Sequence, residues 1–94
     1  MKPEMDPERI RIAWHYPAML QIREEGLSDT DVDEAKRLLE QHNYIKIRIL
    51  QSGTGASNKR ELMELLCTKC GARLAGFRGR VAVIYRTKEM RALE

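Results

Sequence analysis

The chain has 94 residues, of which 43 % are apolar and 33 % are charged, and its formal net charge is +3. This length suits one compact domain, so the sequence is expected to fold as a single domain over residues 1–94. No apolar run approaches the ~20 residues of a membrane-spanning helix, and the charged segment 1–7 does not resemble a signal peptide. The expected location is therefore the cytoplasm, where the two cysteines stay reduced.

The charges are distributed unevenly along the chain. Residues 1–43 carry six basic and ten acidic side chains, whereas residues 44–94 carry eleven basic and four acidic ones. Clustered positive charge suits an anionic polymer, because each neutralised phosphate releases condensed counterions. The asymmetry favours a nucleic-acid partner over charge that only keeps the surface soluble.

The first half of the chain contains signals for two helices and one strand. Asp6 and Pro7 predict a short helix over residues 7–15, although residues 9–12 also alternate like a strand and segment 1–15 could be an extension. Pro17 ends this helix, and residues 18–22 are predicted to form a strand. Ser28, followed by acidic residues, is expected to cap a long helix whose apolar residues recur at helical spacing, namely Val32, Ala35, Leu38 and Leu39.

The second half predicts three strands and one helix. Residues 44–50 alternate, with three isoleucines on one face and Lys46 and Arg48 on the other. A glycine-containing loop over 51–56 leads to Ser57, which is expected to cap a helix that ends at Gly71. Residues 73–77 and 80–86 are predicted to form a hairpin, and 87–94 a charged tail. The order α-β-α-β-α-β-β predicts an α/β fold with one mixed four-stranded sheet.

The segment Cys67-Thr68-Lys69-Cys70-Gly71 is the strongest candidate for metal or redox chemistry. Zinc needs four ligands, and His15 and His42 are single and distant, so only a metal bridge between two chains could complete a site. A redox pair is unfavourable because the cysteines lie at a helix C-terminus, which raises a thiol pKa. The two cysteines are therefore interpreted as ordinary helix residues, at least one of them buried. No catalytic pair can be inferred, so neither an enzyme nor a cofactor is expected.

Basic residues crowd the predicted hairpin. Segment 73–91 contains six of them and a single acid, Glu89. Guanidinium groups on paired strands can hold phosphates, and Gly79 lets a backbone approach closely. Together with Lys46 and Arg48, the hairpin predicts a cationic surface. The six basic residues are Arg73, Arg78, Arg80, Arg86, Lys88 and Arg91. Trp14 and Tyr16 could stack on a base, although Trp14 is expected to lie in the core.

Several short motifs in order resemble the CRM domain, an RNA-binding module of bacterial YhbY proteins and plant organelle splicing factors. They are Gly26-Leu27-Ser28 before a helix, His42-Asn43-Tyr44-Ile45-Lys46-Ile47, Lys59 early in the next helix, Gly71-Ala72, and Gly79 followed by Val83-Ile84-Tyr85-Arg86. The resemblance runs from about residue 16 to residue 86, with an apparent two-residue insertion in the Gly53/Gly55 loop.

The resemblance implies a mixed four-stranded sheet with helices packed on it, similar to the C-terminal domain of translation initiation factor three. It also implies binding to structured RNA, chiefly precursor large-subunit ribosomal RNA, by a protein expected to be a monomer when free.

The family's Gly-X-X-Gly loop corresponds here to Arg23-Glu24-Glu25-Gly26, whose two acids should repel phosphate. The basic hairpin surface is therefore expected to bind most of the RNA. The candidate residues are Arg23, Gly26, Lys46, Arg48, Lys59, Arg78, Gly79, Arg80, Arg86 and Lys88. Two functions remain as alternatives to RNA binding. One is a protein-interaction module that uses the acidic N-terminal half, and the other is a dimer bridged by metal through Cys67 and Cys70.

Overall fold

The structure, a computed structural model, describes residues 6–23, 26–50 and 59–87. It contains the predicted seven elements in the predicted order. These are α1 (Pro7–His15), β1 (Leu20–Arg23), α2 (Asp29–Gln41), β2 (Tyr44–Leu50), α3 (Lys59–Cys70), β3 (Arg73–Arg78) and β4 (Val81–Tyr85). Within the described segments, no helix is long and apolar enough to cross a membrane.

Local side-chain chemistry explains where the helices begin and end. The Asp6 carboxylate accepts a hydrogen bond from the Glu8 amide at 3.0 Å and starts α1. Ser28 and Asp31 form a reciprocal capping box at the start of α2, so the predicted cap is confirmed. Gly71, with a φ of 68°, ends α3, and the Ala72 amide donates to the Cys67 carbonyl at 2.8 Å. The predicted Ser57 cap and the Gly53/Gly55 loop lie outside the described residues.

The four strands form one mixed sheet in the order β1-β2-β4-β3. β1 runs parallel to β2, and the other two pairs are antiparallel. β3 and β4 are joined by a two-residue turn whose first position is Gly79, with a φ of 58°. A glycine with positive φ at this position is typical of the tight turns that join hairpin strands. The sheet topology therefore places the hairpin tip at the same end of the sheet as the C-terminal ends of β1 and β2.

The main core lies between one face of the sheet, called here the inner face, and the helices α2 and α3. Ile45, Ile47 and Ile49 of β2 are fully buried on this face, as the alternation in residues 44–50 predicts. They pack with Leu39 of α2 and Leu66 of α3. Burial of such large aliphatic side chains stabilises the fold by roughly 1.5–3 kcal/mol each relative to leaving them in water.

The opposite, outer face of the sheet is covered in part by α1. The Asp6 amide donates to the Tyr44 hydroxyl at 2.9 Å, and the Tyr44 and Tyr85 rings stack with their centroids 5.4 Å apart. Val83, whose register partners are Lys46 and Gly76, is fully buried although it does not belong to the main core. Because α1 covers only one end of the outer face, the strands remain exposed toward the hairpin tip.

A register shift in β3 decides which side chains reach the outer face. Leu74 pairs with Ile84, but Gly76 pairs with Val83, so Ala75 is an extra residue. This bulge lets both Leu74 and Phe77 pack against the main core. It also moves Arg78 to the outer face, which a regular alternation from Leu74 would not do.

Candidate nucleic-acid interface

Arginines from three strands meet on the outer face near the hairpin tip. Arg48 and Arg78 both pair with Val81, so their side chains lie in one row across the sheet and share a face. Both side chains are exposed, and so is that of Arg80 in the turn. Arg23 is exposed at the end of β1, where it pairs with Leu50. Sheet topology therefore brings Arg23 and Arg48 to the same end of the sheet as Arg78 and Arg80, which lie far from them in the sequence.

A groove of about 480 Å³ runs along this part of the outer face. It is called the cationic groove here, and of the seven described residues that line it, three are basic and none is acidic. A concave surface with charge of one sign concentrates the field and attracts an anionic ligand. The lining residues are Pro17, Ala18, Gln21, Lys46, Arg48, Arg80 and Val81.

Arg78 is held beside this groove by an aromatic contact that the sequence did not reveal. Its guanidinium carbon lies 4.6 Å from the centroid of the Trp14 ring, which is a cation–π geometry. The Trp14 ring in turn lies on Gly76, where an added Cβ would come within 3.1 Å of Trp14 Cζ2. Trp14 is thus half-buried on the outer face and not in the main core, contrary to expectation. A glycine inside a strand was the one available signal for this close approach.

Lys46 has a structural role that strand alternation alone could not show. Its Nζ donates hydrogen bonds to the carbonyl oxygens of Trp14 at 2.7 Å and Tyr16 at 3.0 Å. These carbonyls lie at the C-terminal end of α1, where the helix dipole favours a cation. Lys46 therefore fixes α1 on the sheet, and it also lines the cationic groove.

Replacing Lys46 by methionine is expected to lower the free energy of unfolding by about 1–3 kcal/mol, because the change removes two charge-assisted hydrogen bonds and leaves two carbonyls without them. Urea denaturation followed by circular dichroism measures this change. Lys36→Met, at an exposed position of α2, is the matched control and should change stability by less than about 0.5 kcal/mol. Equal stability of the two variants would contradict the structural role of Lys46.

The other predicted residues are not all close to the cationic groove. Arg86 follows Tyr85, at the end of β4 opposite to the hairpin tip, roughly 15 Å along the strand from Val81. The sequence predicts one surface formed by Lys46, Arg78, Arg80 and Arg86. This prediction is wrong for Arg86, which lies at the other end of the sheet. Lys59 begins α3, which covers the inner face.

The loop between β1 and α2 is described only at its two ends. The Gly26 amide donates to the Arg23 carbonyl at 3.3 Å, which places Gly26 next to Arg23 at the C-terminal end of β1. Glu24 and Glu25 lie outside the described residues, as does Lys88. Gly79 supplies the turn of the hairpin tip and has open space beside it.

The two cysteines are both buried in the last turns of α3, with Cys67 6 % and Cys70 2 % exposed. Burial, followed by the neighbouring Cys70 and Glu64, raises the pKa of Cys67 to about 12. Burial also raises the pKa of Cys70, although Lys36 and Arg86 act in the opposite direction. The reactive thiolate is therefore a minor species near neutral pH. A metal bridge between two chains needs accessible thiolates, which this arrangement does not offer. Among the described residues, no group of three or more histidine, cysteine or acidic side chains could hold a metal ion.

The geometry agrees with a comparison against known protein families. The family model of the CRS1/YhbY (CRM) domain matches residues 3–86 of the chain. The chain belongs to the CRS1/YhbY (CRM) family, a family of RNA-binding domains, and the resemblance noted in the sequence is confirmed.

A solved structure supports the fold. The chain is similar to the solution structure of a hypothetical protein from Staphylococcus aureus, which has been described as a candidate RNA-binding protein. The TM-score is 0.71 at 25 % sequence identity, and the similarity covers 84 % of this chain and 80 % of that protein. The predicted α/β fold with a mixed four-stranded sheet is confirmed. A search of curated protein sequences found no significant match.

Proposed function

We propose that this protein is a non-enzymatic binder of structured RNA and that its main contact surface is the cationic groove with the adjacent Arg78. The observation that carries this proposal is the row of arginines on the exposed part of the outer face, in a chain of the CRM family. Arginine holds phosphates through several N–H donors in a fixed plane, which suits recognition of an RNA backbone. Phosphate contacts set affinity and orientation, so RNA shape contributes more to recognition than base sequence.

The proposed target is ribosomal RNA of the large subunit, bound during subunit assembly or on the ribosome in the cytoplasm. This part of the proposal rests on what the family resemblance implies, because the groove itself selects for phosphate and not for one RNA. The protein is proposed to bind this RNA as a monomer.

The dependence of RNA affinity on salt tests the proposed binding mode. With three or four basic groups in contact with phosphates, a plot of log affinity against log salt concentration should have a slope of about −2 to −4. Affinity for a folded RNA hairpin should then fall by about 15- to 250-fold between 50 and 200 mM salt. Fluorescence anisotropy with a labelled hairpin measures both quantities. A slope near zero would contradict binding through the cationic groove.

The identity of the RNA needs a separate experiment. Ultraviolet crosslinking in cells of the source organism, followed by sequencing of the attached RNA, should recover mainly precursor or mature large-subunit ribosomal RNA. Recovery of messenger RNA or small-subunit RNA instead would overturn the ribosomal assignment and leave RNA binding in place.

A further inference from the structure

A second groove, of about 500 Å³, lies between α1 and the turn that joins α2 to β2. It is called the α1 groove here. Ile12, Ala13 and Tyr16 of α1 and its C-cap form one wall, and His42 and Asn43 belong to the opposite wall. Its volume falls in the range of roughly 300–1,000 Å³ that is typical of sites for small organic groups.

The α1 groove collects apolar surface that the fold leaves in contact with water. Ile12, Tyr16 and Met19 are 42 %, 58 % and 39 % exposed, and all three line the groove. The described residues include only two other large apolar side chains that are exposed, Leu50 and Leu65, and neither lines this groove. A cluster of exposed apolar groups with a polar rim is typical of a binding site.

The α1 groove is continuous with the cationic groove. Pro17 and Lys46 line both of them, so the two grooves meet at the C-terminal end of α1. The Lys46 ammonium is fixed at this junction by the carbonyls of Trp14 and Tyr16, which use two of its three N–H donors. An RNA strand with its phosphates in the cationic groove would therefore pass close to Tyr16.

The chemistry of the walls matches that of a nucleobase. A base has flat faces that stack on an aromatic ring or an aliphatic surface, and polar edges that form hydrogen bonds. Tyr16 offers an exposed ring, and Met19 offers an apolar surface beside it. His42 and Asn43 carry both donors and acceptors that suit the edge of a base.

We propose that the α1 groove binds one unpaired nucleobase, stacked on Tyr16, from the same RNA whose phosphates occupy the cationic groove. This inference rests on the proposed function, and it narrows the substrate class to helical RNA interrupted by an unpaired nucleotide. A uniform duplex fills only the cationic groove, because its bases are paired and stacked.

Two RNA hairpins that differ only by one bulged adenosine in the stem test the inference. The wild-type protein should bind the bulged hairpin about tenfold more tightly, since stacking of one base on an aromatic ring is sufficient for such a difference. Tyr16→Ala should remove this preference and leave the affinity for the fully paired hairpin unchanged. Tyr16→Phe, which keeps the ring, should retain the preference. Leu65→Ala removes a comparably exposed apolar side chain from α3 and should behave like the wild type.

The outcomes separate this inference from the proposed function. Equal wild-type affinity for the two hairpins overturns the nucleobase site, and so does a preference that persists in Tyr16→Ala. The first result is the one expected if the groove binds a side chain of a partner protein instead of a base. If replacing Arg48 and Arg80 by alanine weakens both hairpins by the same factor, the proposed function holds whatever Tyr16 does. If the wild type binds neither hairpin, the proposed function fails and the nucleobase site fails with it. Circular dichroism confirms that each variant is folded.

Discussion

Replacing Arg48 and Arg80 together by alanine is expected to weaken binding of a structured RNA by about 10- to 100-fold near 0.1 M salt. Both arginines line the cationic groove, so their loss should remove two of the proposed phosphate contacts and part of the charge proposed to attract the RNA. The slope of log affinity against log salt should become less steep by about 2. Because both side chains are exposed, the free energy of unfolding should change by less than about 0.5 kcal/mol each. Fluorescence anisotropy at several salt concentrations gives the affinity and the slope in one series.

The matched control replaces Arg37 and Arg60 by alanine. These arginines are also exposed and their removal changes the net charge by the same amount, but they lie on α2 and α3, which cover the inner face. They should weaken RNA binding by less than about threefold, since surface charges beyond roughly 10 Å are screened by salt. If the two double variants lose affinity equally, RNA responds to net charge alone and the cationic groove is not the binding surface.

Most of the architecture could be predicted because each element carries a local signal. Strict alternation in residues 44–50 fixes which face of β2 is buried, and the three isoleucines are indeed fully buried. Ser28 and Gly71 mark a helix start and a helix end through hydrogen bonds made within a few residues. Such signals depend only on neighbouring residues, so the sequence carries them completely.

The composition of the candidate site was harder to predict, because it depends on contacts between distant residues. The bulge at Ala75 reverses which face Gly76 and Arg78 occupy, and its one sequence signal is Gly76, a glycine inside a strand, which does not fix the position of the extra residue. Alternation correctly placed Lys46 on the face of β2 opposite to the isoleucines. It could not show that the C-terminal end of α1 packs there and accepts hydrogen bonds from Lys46. Arg86 is only six residues from Arg80 in the sequence, but the extended strand β4 lies between them and places them at opposite ends of the sheet.

The N-terminal helix therefore contributes more to the site than its sequence suggests. α1 was the least certain element, since residues 9–12 fit a strand as well as a helix. In the structure it forms a wall of the α1 groove, and the residues that follow it line the cationic groove. It also supplies Trp14, whose ring lies against the Arg78 guanidinium. A helix with a modest apolar surface can do this because Lys46 and Tyr44 attach its two ends to the sheet.

Replacing Trp14 by alanine is the second change with a large expected effect. The variant should lose about 2 kcal/mol of unfolding free energy, because a half-buried indole leaves its contacts with Gly76 and Arg78. RNA affinity should fall by about three- to tenfold, since the Arg78 side chain must then be ordered by the RNA itself. Urea denaturation and anisotropy measure the two effects separately.

A double-mutant cycle with Arg78→Ala decides whether the ring acts on RNA binding through that arginine. If Trp14 positions Arg78, the loss of RNA affinity in the double variant should be smaller than the product of the two single losses, by about two- to fivefold. Losses that multiply fully would show that the ring and the guanidinium contribute independently, and Trp14 would then be a structural residue of α1 alone.

Trp14 is the only tryptophan of the chain, so its fluorescence gives a further readout in the wild type. Because Arg78 lies over the ring, RNA that contacts Arg78 should change the tryptophan emission, and this change should shrink in Arg78→Ala, where the guanidinium no longer connects the RNA to the indole.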